Sequence, residues 1–235
     1  MITIYTITYN EEVILPYFIK WYRDRFPNCK IVVYDNESTD GTKNICLLTP
    51  NLQYIPYHTG NKLSDSTYLK IKNNAWKHAE TDWVIVCDVD EFLDMNEAML
   101  VSVCQPFGIS LFKSKGFNMC NVENLEDITQ IKHGVRATQY DKTILFNKKD
   151  IEEINYSAGC HHCEPQGDVK LSILNPHLYH MKFIDVDLLV NKYKSYASRL
   201  SDENKEMRWG YHYEQQEYLI REEFKNTLQL AEKIR

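Results

Sequence analysis

Strand-like and helix-like stretches alternate through residues 1–95, and this alternation constrains the fold more than any other feature of the chain. Residues 2–8 set Ile against Thr and Tyr with the period of a strand. Residues 13–23 repeat apolar side chains at helical spacing, with Asn10 placed to cap that helix and Glu11 and Glu12 in its first turn. Lys30-Ile-Val-Val-Tyr34 reads as a second, buried strand ending at Asp35. Small polar residues at 36–42 make a turn into a helix over 43–48, and residues 52–57 make a third, weaker strand. Residues 67–80 predict a helix with Tyr68, Ile71, Ala75 and Trp76 or Ala79 on one face. A fourth strand follows at 84–87. The order β-α-β-α-β-α-β predicts an α/β fold: a mostly parallel central sheet flanked by helices.

The fourth strand runs straight into charge, in Trp83-Val-Ile-Val-Cys-Asp-Val-Asp-Glu-Phe-Leu93. A short unbroken apolar run is a strand buried on both faces. Its carboxyl end, where ligands bind in open α/β sheets, carries Asp88, Asp90 and Glu91. Extended geometry would put Asp88 and Asp90 on one side. Two anions so close repel unless a divalent cation or a proton lies between them. The plainer reading is a solvated acidic turn. Polar clusters at 9–12 and 35–40 end two other strands, and three such clusters on one sheet edge describe a cleft.

Beyond Leu93 the alternation stops. Residues 96–103 predict a short helix, residues 109–113, 143–146, 156–162 and 169–174 strands, and residues 187–200 and 213–234 helices, with 115–139 unassigned. With neither repeat nor linker, residues 1–235 are expected to form one domain. The net charge of −6 argues against a general nucleic-acid partner. Seven scattered cysteines without framework spacing predict free thiols in a reducing compartment. The first residues lack the basic leader and long apolar core of a signal peptide, and no apolar run reaches membrane-spanning length, so the expected location is cytoplasmic.

Four segments, Thr8-Tyr-Asn-Glu-Glu12, Tyr34-Asp-Asn-Glu-Ser-Thr-Asp-Gly-Thr42, Lys72-Asn-Asn-Ala-Trp76 and Trp83 to Phe92, resemble in order and spacing the GT-A glycosyltransferases, in particular a family 2-like branch with an Asp-x-Asp-Glu-Phe motif. The resemblance covers residues 1–95 and implies a GT-A fold whose first half, 1–95, binds a nucleotide sugar. Residues 96–235 would then form the acceptor-binding half and the C-terminal helices. It implies a metal-dependent transfer of sugar from a nucleoside diphosphate, a UDP-sugar favoured, to a glycan or other hydroxyl acceptor. Thr8, Tyr9, Asn10 and Glu11 would meet the donor, with Tyr9 and Asn10 at the nucleoside. Asp35 would accept from base or ribose, and Lys72 would face the diphosphate as a charge without arginine's fork. Asp90 would act in catalysis by binding Mn²⁺ or Mg²⁺, while Asp88 would touch the ribose or share the metal. A histidine late in the chain would complete the metal site: His180 first, His161 second.

Other patterns compete. Cys160-His-His-Cys163 has the spacing of half a zinc site, but no second pair stands at the usual distance. Asp185-Val-Asp187 repeats the Asp-x-Asp letters at a helix start, where capping is its expected role. An inverting enzyme needs a base on the acceptor side, for which Asp141 and Glu164 are candidates by position. A sugar nucleotidyltransferase would want a glycine-rich loop, and residues 8–12 contain no glycine. A non-catalytic carbohydrate- or nucleotide-binding domain is the alternative outside enzymes.

Overall fold

A computed structural model describes residues 1–235, the side chains of Gln105 and Pro106 excepted. Four parallel strands form the centre of a six-stranded sheet: β1 (Ile2–Thr8), β2 (Lys30–Asp35), β3 (Leu52–Pro56) and β4 (Trp83–Val86). They lie in the order β3-β2-β1-β4. All seven residues of β1 are buried, although its sequence alternates. Two of its three threonines find partners, Thr3 in a 2.8 Å hydrogen bond with Thr81 and Thr8 donating to Asp35 at 3.2 Å, while the Thr6 hydroxyl is buried without one.

Helix α1 (Leu15–Arg25) buries Leu15, Phe18, Ile19, Trp21 and Tyr22 against the sheet. Each such side chain contributes roughly 1.5–3 kcal/mol on burial. Asn10 does not cap α1, whose N-cap is Ile14 with no side-chain bond. Asn10 instead adopts a left-handed backbone with φ 53°, which Asn tolerates, and its side chain accepts from the Thr39 N–H at 2.8 Å. It pins the 36–42 turn. Helix α2 (Thr42–Leu48) follows, and α3 (Asp65–Asn74) continues as a 3₁₀ turn over Ala75–His78.

After β4 the chain turns at residues 87–90 and enters a second sheet as β5 (Glu91–Leu93). α1 holds this crossing in place: Trp21 Nε1 donates to Leu93 O at 2.9 Å and the Tyr22 hydroxyl donates to Glu91 O at 3.0 Å. Helix α4 (Glu97–Phe107) leads to β6 (Leu111–Phe112), β7 (Lys115–Cys120) and β8 (His133–Arg136). Next come β9 (Leu145–Asn147), a small antiparallel pair β10 (Ile151–Glu153) and β11 (Gln166–Gly167), and β12 (His177–Phe183). β9 joins the first sheet antiparallel to β4, and β6 joins beyond it. The second sheet runs β13-β8-β7-β12-β5, where β13 is Glu232–Lys233.

The second half departs most from expectation. The segment 115–139 supplies β7 and β8, two of the three inner strands of the second sheet. Residues 156–162 are not a strand: Tyr156 makes one bridge with Cys163, and Gly159 turns left-handed at φ 72°. Residues 169–174 are also irregular, with a single bridge from Leu171 to Leu111. The final region divides into α5 (Val186–Arg199), α6 (Asp202–Glu206) and α7 (Glu217–Gln229), after which β13 pairs with β8. Asp185 caps α5 by accepting from the Leu188 N–H at 2.7 Å, so the second Asp-x-Asp is a cap, as its context predicts. All seven cysteines are free. Among the described residues no helix is long and apolar enough to cross a membrane.

Candidate active site

The crossing between the two sheets builds the site. Because residues 88–90 form a turn, closed by Glu91 N–H donating to Asp88 O at 3.0 Å, the extended geometry expected for Asp88 and Asp90 does not hold. Their carboxylates face different cations. Lys72 Nζ lies 2.5 Å from Asp88 Oδ1, and Lys142 Nζ lies 3.3 Å from Asp88 Oδ2 and 2.5 Å from Glu91 Oε1. Lys192 Nζ lies 3.0 Å from Asp90 Oδ2 and 2.9 Å from Glu11 Oε1. Three ammonium groups thus interleave with four carboxylates. Both oxygens of Asp88 meet lysines, as Asp90 Oδ2 meets Lys192.

His180 reaches this place through strand pairing. β12 sets His180 opposite Glu91 on one side and Asn118 on the other. His180 Nδ1 lies 2.8 Å from Asn118 Oδ1, an oxygen that can only accept, so Nδ1 carries the proton. Nε2 then lies 3.5 Å from Asp90 Oδ2. An imidazole oriented through its other nitrogen is the usual arrangement of a metal ligand. Asp90 and His180 are the pair here that could hold a divalent ion, although among the described residues no three His, Cys, Asp or Glu side chains group as a metal cluster. His161 borders the same cleft, with its Nδ1 2.7 Å from Gln139 O and its ring edge-on to Tyr140.

The charges are strongly coupled. Burial pushes the Asp88 and Asp90 carboxyls up, but Lys72 and Lys142 on one, and Lys192 and His180 on the other, outweigh it and hold both below the usual range. Burial would lower all three lysines, yet the carboxylates keep each raised: Asp88 for Lys72, Glu91 and Asp88 for Lys142, Asp90 and Glu11 for Lys192. Glu11 is raised by burial despite Lys192. The lowered carboxyls of Asp88 and Asp90 and the raised ammonium groups of the three lysines stay charged at neutral pH.

Two cavities meet at it. One, of about 400 Å³, is lined by Tyr9, Glu11, Lys72, Asp88, Asp90 and His180, together with residues 208–213. The other, of about 470 Å³, shares Asp90, Tyr140, His180, Lys192 and residues 211–213 and adds Tyr193, Leu188, Leu189 and Glu223. His161 borders both.

Several expected residues lie outside the cavities. Asp35 is buried and turned inward: it accepts from Ser38 Oγ at 2.5 Å, Tyr54 OH at 2.9 Å and Thr8 Oγ1 at 3.2 Å. Burial and Asp35 together push the Tyr54 hydroxyl up to about 12, so it remains a donor. Thr8, Asn10 and Asp35 shape the loop beneath the cleft without lining it. Glu164 has a side chain 81% exposed, near His162. Asp141 binds Arg136 Nη2 at 2.6 Å and accepts from the Gly116 N–H at 2.8 Å. Position in sequence suggested a base at these two, but neither lines a cavity.

Asp141 offers a check by pH. Against burial, Arg136 and the Gly116 N–H lower its pKa in the folded chain. A depressed carboxyl contributes stability above its unfolded value, about 3.9. That contribution disappears as pH falls below about 4 through the lower folded value. Asp141→Asn is expected to cost about 1 kcal/mol at neutral pH, a charged hydrogen bond discounted for solvent. It should also flatten the loss of melting temperature below pH ~4. An unchanged acid profile would show the pair to be idle.

Other residues were not foreseen. Lys142 and Lys192 carry no local signal. Arg199 stacks its guanidinium 3.1 Å from the centre of the Tyr9 ring and lies 2.6 Å from Asn36 Oδ1. The aromatic run Trp209-Gly-Tyr-His-Tyr213 was the one missed signal visible in the sequence, dense in rings around a glycine.

The profile of glycosyl transferase family 2 matches residues 3–148. The fold is similar to crystal structures of Staphylococcus aureus TarS. For residues 1–349 of TarS the identity is 17%, the TM-score 0.47, and the match covers 84% of this chain and 68% of that one. For the same fragment in complex with UDP the identity is 21%, the TM-score 0.40, and coverage is 49% and 36%. It is also similar to the mannosyltransferase PcManGT from Pyrobaculum calidifontis in complex with GDP-Man and Mn²⁺, with 14% identity, a TM-score of 0.42, and coverage of 86% and 65%. The chain thus spans from 36% to 68% of the length of these structures. No curated protein matches it at a significant level.

Proposed function

The chain belongs to glycosyl transferase family 2 and has the GT-A fold, and from that premise we propose a metal-assisted transfer of sugar from a nucleoside diphosphate to an acceptor hydroxyl. Family membership sets aside the nucleotidyltransferase and the purely binding alternatives. The observation that carries the proposal is the convergence of Lys72, Lys142 and Lys192 on Glu11, Asp88, Asp90 and Glu91 at the carboxyl edge of the parallel strands. The ammonium groups would give a diphosphate fixed donors, and a divalent ion would supply the positive charge that three ammonium groups against four carboxylates lack.

In this reading Tyr9, backed by Arg199, supplies a ring face for the nucleoside, and Lys72 and Lys142 meet the diphosphate. Asp90 and His180 would hold Mn²⁺ or Mg²⁺, which would neutralise charge on the departing diphosphate. Asn118 keeps the His180 ring oriented and its Nε2 free. Residues 1–95 then form the donor-binding half. The second cavity, with Tyr140, Tyr193, Tyr211 and Tyr213 on its walls, takes the acceptor. Rings of this kind pack against the apolar faces of sugars, and their hydroxyls bond the edges. Free thiols and the lack of a spanning helix accord with a cytoplasmic reaction.

The test is donor turnover over a panel beginning with UDP-sugars and GDP-sugars, with and without Mn²⁺. Lys72→Met should weaken donor binding by tenfold to a hundredfold, the loss of one or two charged hydrogen bonds at roughly 1.5–3 kcal/mol. Binding of every nucleotide unchanged in Lys72→Met, with the variant folded, would remove the diphosphate from this cleft.

A further inference from the structure

Lys192 stands on α5, far along the chain, yet its ammonium bridges the carboxylates of Glu11 and Asp90 at 2.9 and 3.0 Å. The oxygen it takes on Asp90 is Oδ2, the same atom that His180 Nε2 faces at 3.5 Å. The lysine and a divalent ion thus want one oxygen. We propose that Lys192 is a tethered counter-cation that guards the metal position, so that the divalent ion enters together with the diphosphate and binds poorly alone. This rests on the metal-assisted reading above.

The physics is charge balance in a small space. An ammonium beside Asp90 repels a second cation bound to the same oxygen, and the repulsion is strong where water is scarce. Expelling Lys192 outright would leave Glu11 and the lysine without partners, and unpaired buried charge is costly. A diphosphate removes the conflict. It brings negative charge that Lys192 can meet without leaving the cleft, which frees Asp90 Oδ2. Glu11 is the pivot: Tyr196 OH donates to its Oε1 at 3.3 Å, so it stays in place and retains one end of the ammonium's contacts. The lysine side chain is 21% exposed and lines both cavities, and its four-carbon stem has room to turn. Lys72 and Lys142 do not compete in this way, because their carboxylates are those of Asp88 and Glu91.

The experiment is direct titration of Mn²⁺, by calorimetry and by the electron paramagnetic resonance of the free ion, with and without UDP. The wild-type chain should bind Mn²⁺ weakly alone and at least tenfold tighter with UDP. Lys192→Met should bind Mn²⁺ alone at least tenfold tighter than wild type. Lys192→Gln, which keeps a polar side chain without charge, should show the same gain, and Lys192→Arg should not. Adding Asp90→Asn to Lys192→Met should abolish the gain. If UDP and Mn²⁺ bind together in the wild type but neither neutral variant gains affinity for Mn²⁺ alone, the guard is refuted while the metal-assisted reading stands. A gain that survives Asp90→Asn refutes it equally. UDP binding indifferent to Mn²⁺ in the wild type overturns both.

Discussion

Asp90→Asn is expected to lower sugar transfer at least about a thousandfold, or about 4 kcal/mol of barrier, with little change in melting temperature. The substitution keeps the shape and one oxygen but removes the negative charge that His180 and Lys192 surround. Without it the charge opposite His180 Nε2 is gone, and the position for a divalent ion with it. The fold should survive because the bonds that set this turn are made by backbone: Glu91 N–H to Asp88 O, and Met181 N–H to Asp90 O at 2.8 Å. Lys192 retains Glu11. Initial rates of nucleotide release and circular dichroism melts decide the matter. A folded variant within tenfold of wild type would show that Asp90 is not at the reacting centre; an unfolded one would show it to be structural.

The largest expected loss of stability comes from Lys142→Met. Lys142 and Glu91 are both almost wholly buried, with ammonium and carboxylate 2.5 Å apart. Removing one partner leaves the other charged in a low-dielectric interior, a change that costs about 3–5 kcal/mol. In a chain of this size that corresponds to roughly 6–20 °C in melting temperature. The double variant Lys142→Met, Glu91→Leu removes both charges and should be more stable than Lys142→Met alone, since hydrophobic replacement of a buried pair is often close to neutral. Recovery will be incomplete, because Glu91 Oε2 also accepts the Asp88 N–H at 3.0 Å. A loss below about 1 kcal/mol in the single variant would mean that water reaches the pair.

Asp88 and Asp90 show how far local pattern reaches. Their place at a strand end was legible, since an unbroken apolar run followed by carboxylates has few other readings. Their orientation was not, because a turn of four residues replaced the extended geometry assumed for them. Asp35 shows the same limit. It ends β2 as expected, yet its carboxylate serves Thr8, Ser38 and Tyr54 inside the loop. The strands at 115–120 and 133–136 were hidden because their burial is set by partners far away, and polar residues among them are paid for by contacts no window of sequence contains.

By itself the sequence determined the alternation of strand and helix in residues 1–95, the parallel sheet it requires, and the edge where charge collects. Those follow from periods of two and of 3.6, which are properties of neighbouring residues. Tertiary structure alone decided which cation meets which anion. Lys192 and Asp90 are 102 positions apart, and Lys142 and Asp88 are 54. His180 reaches Asp90 only because β12 pairs with β5 in one register. Coulomb energy in a dry cleft depends on separations of a few ångströms, and those are fixed by packing across the whole chain.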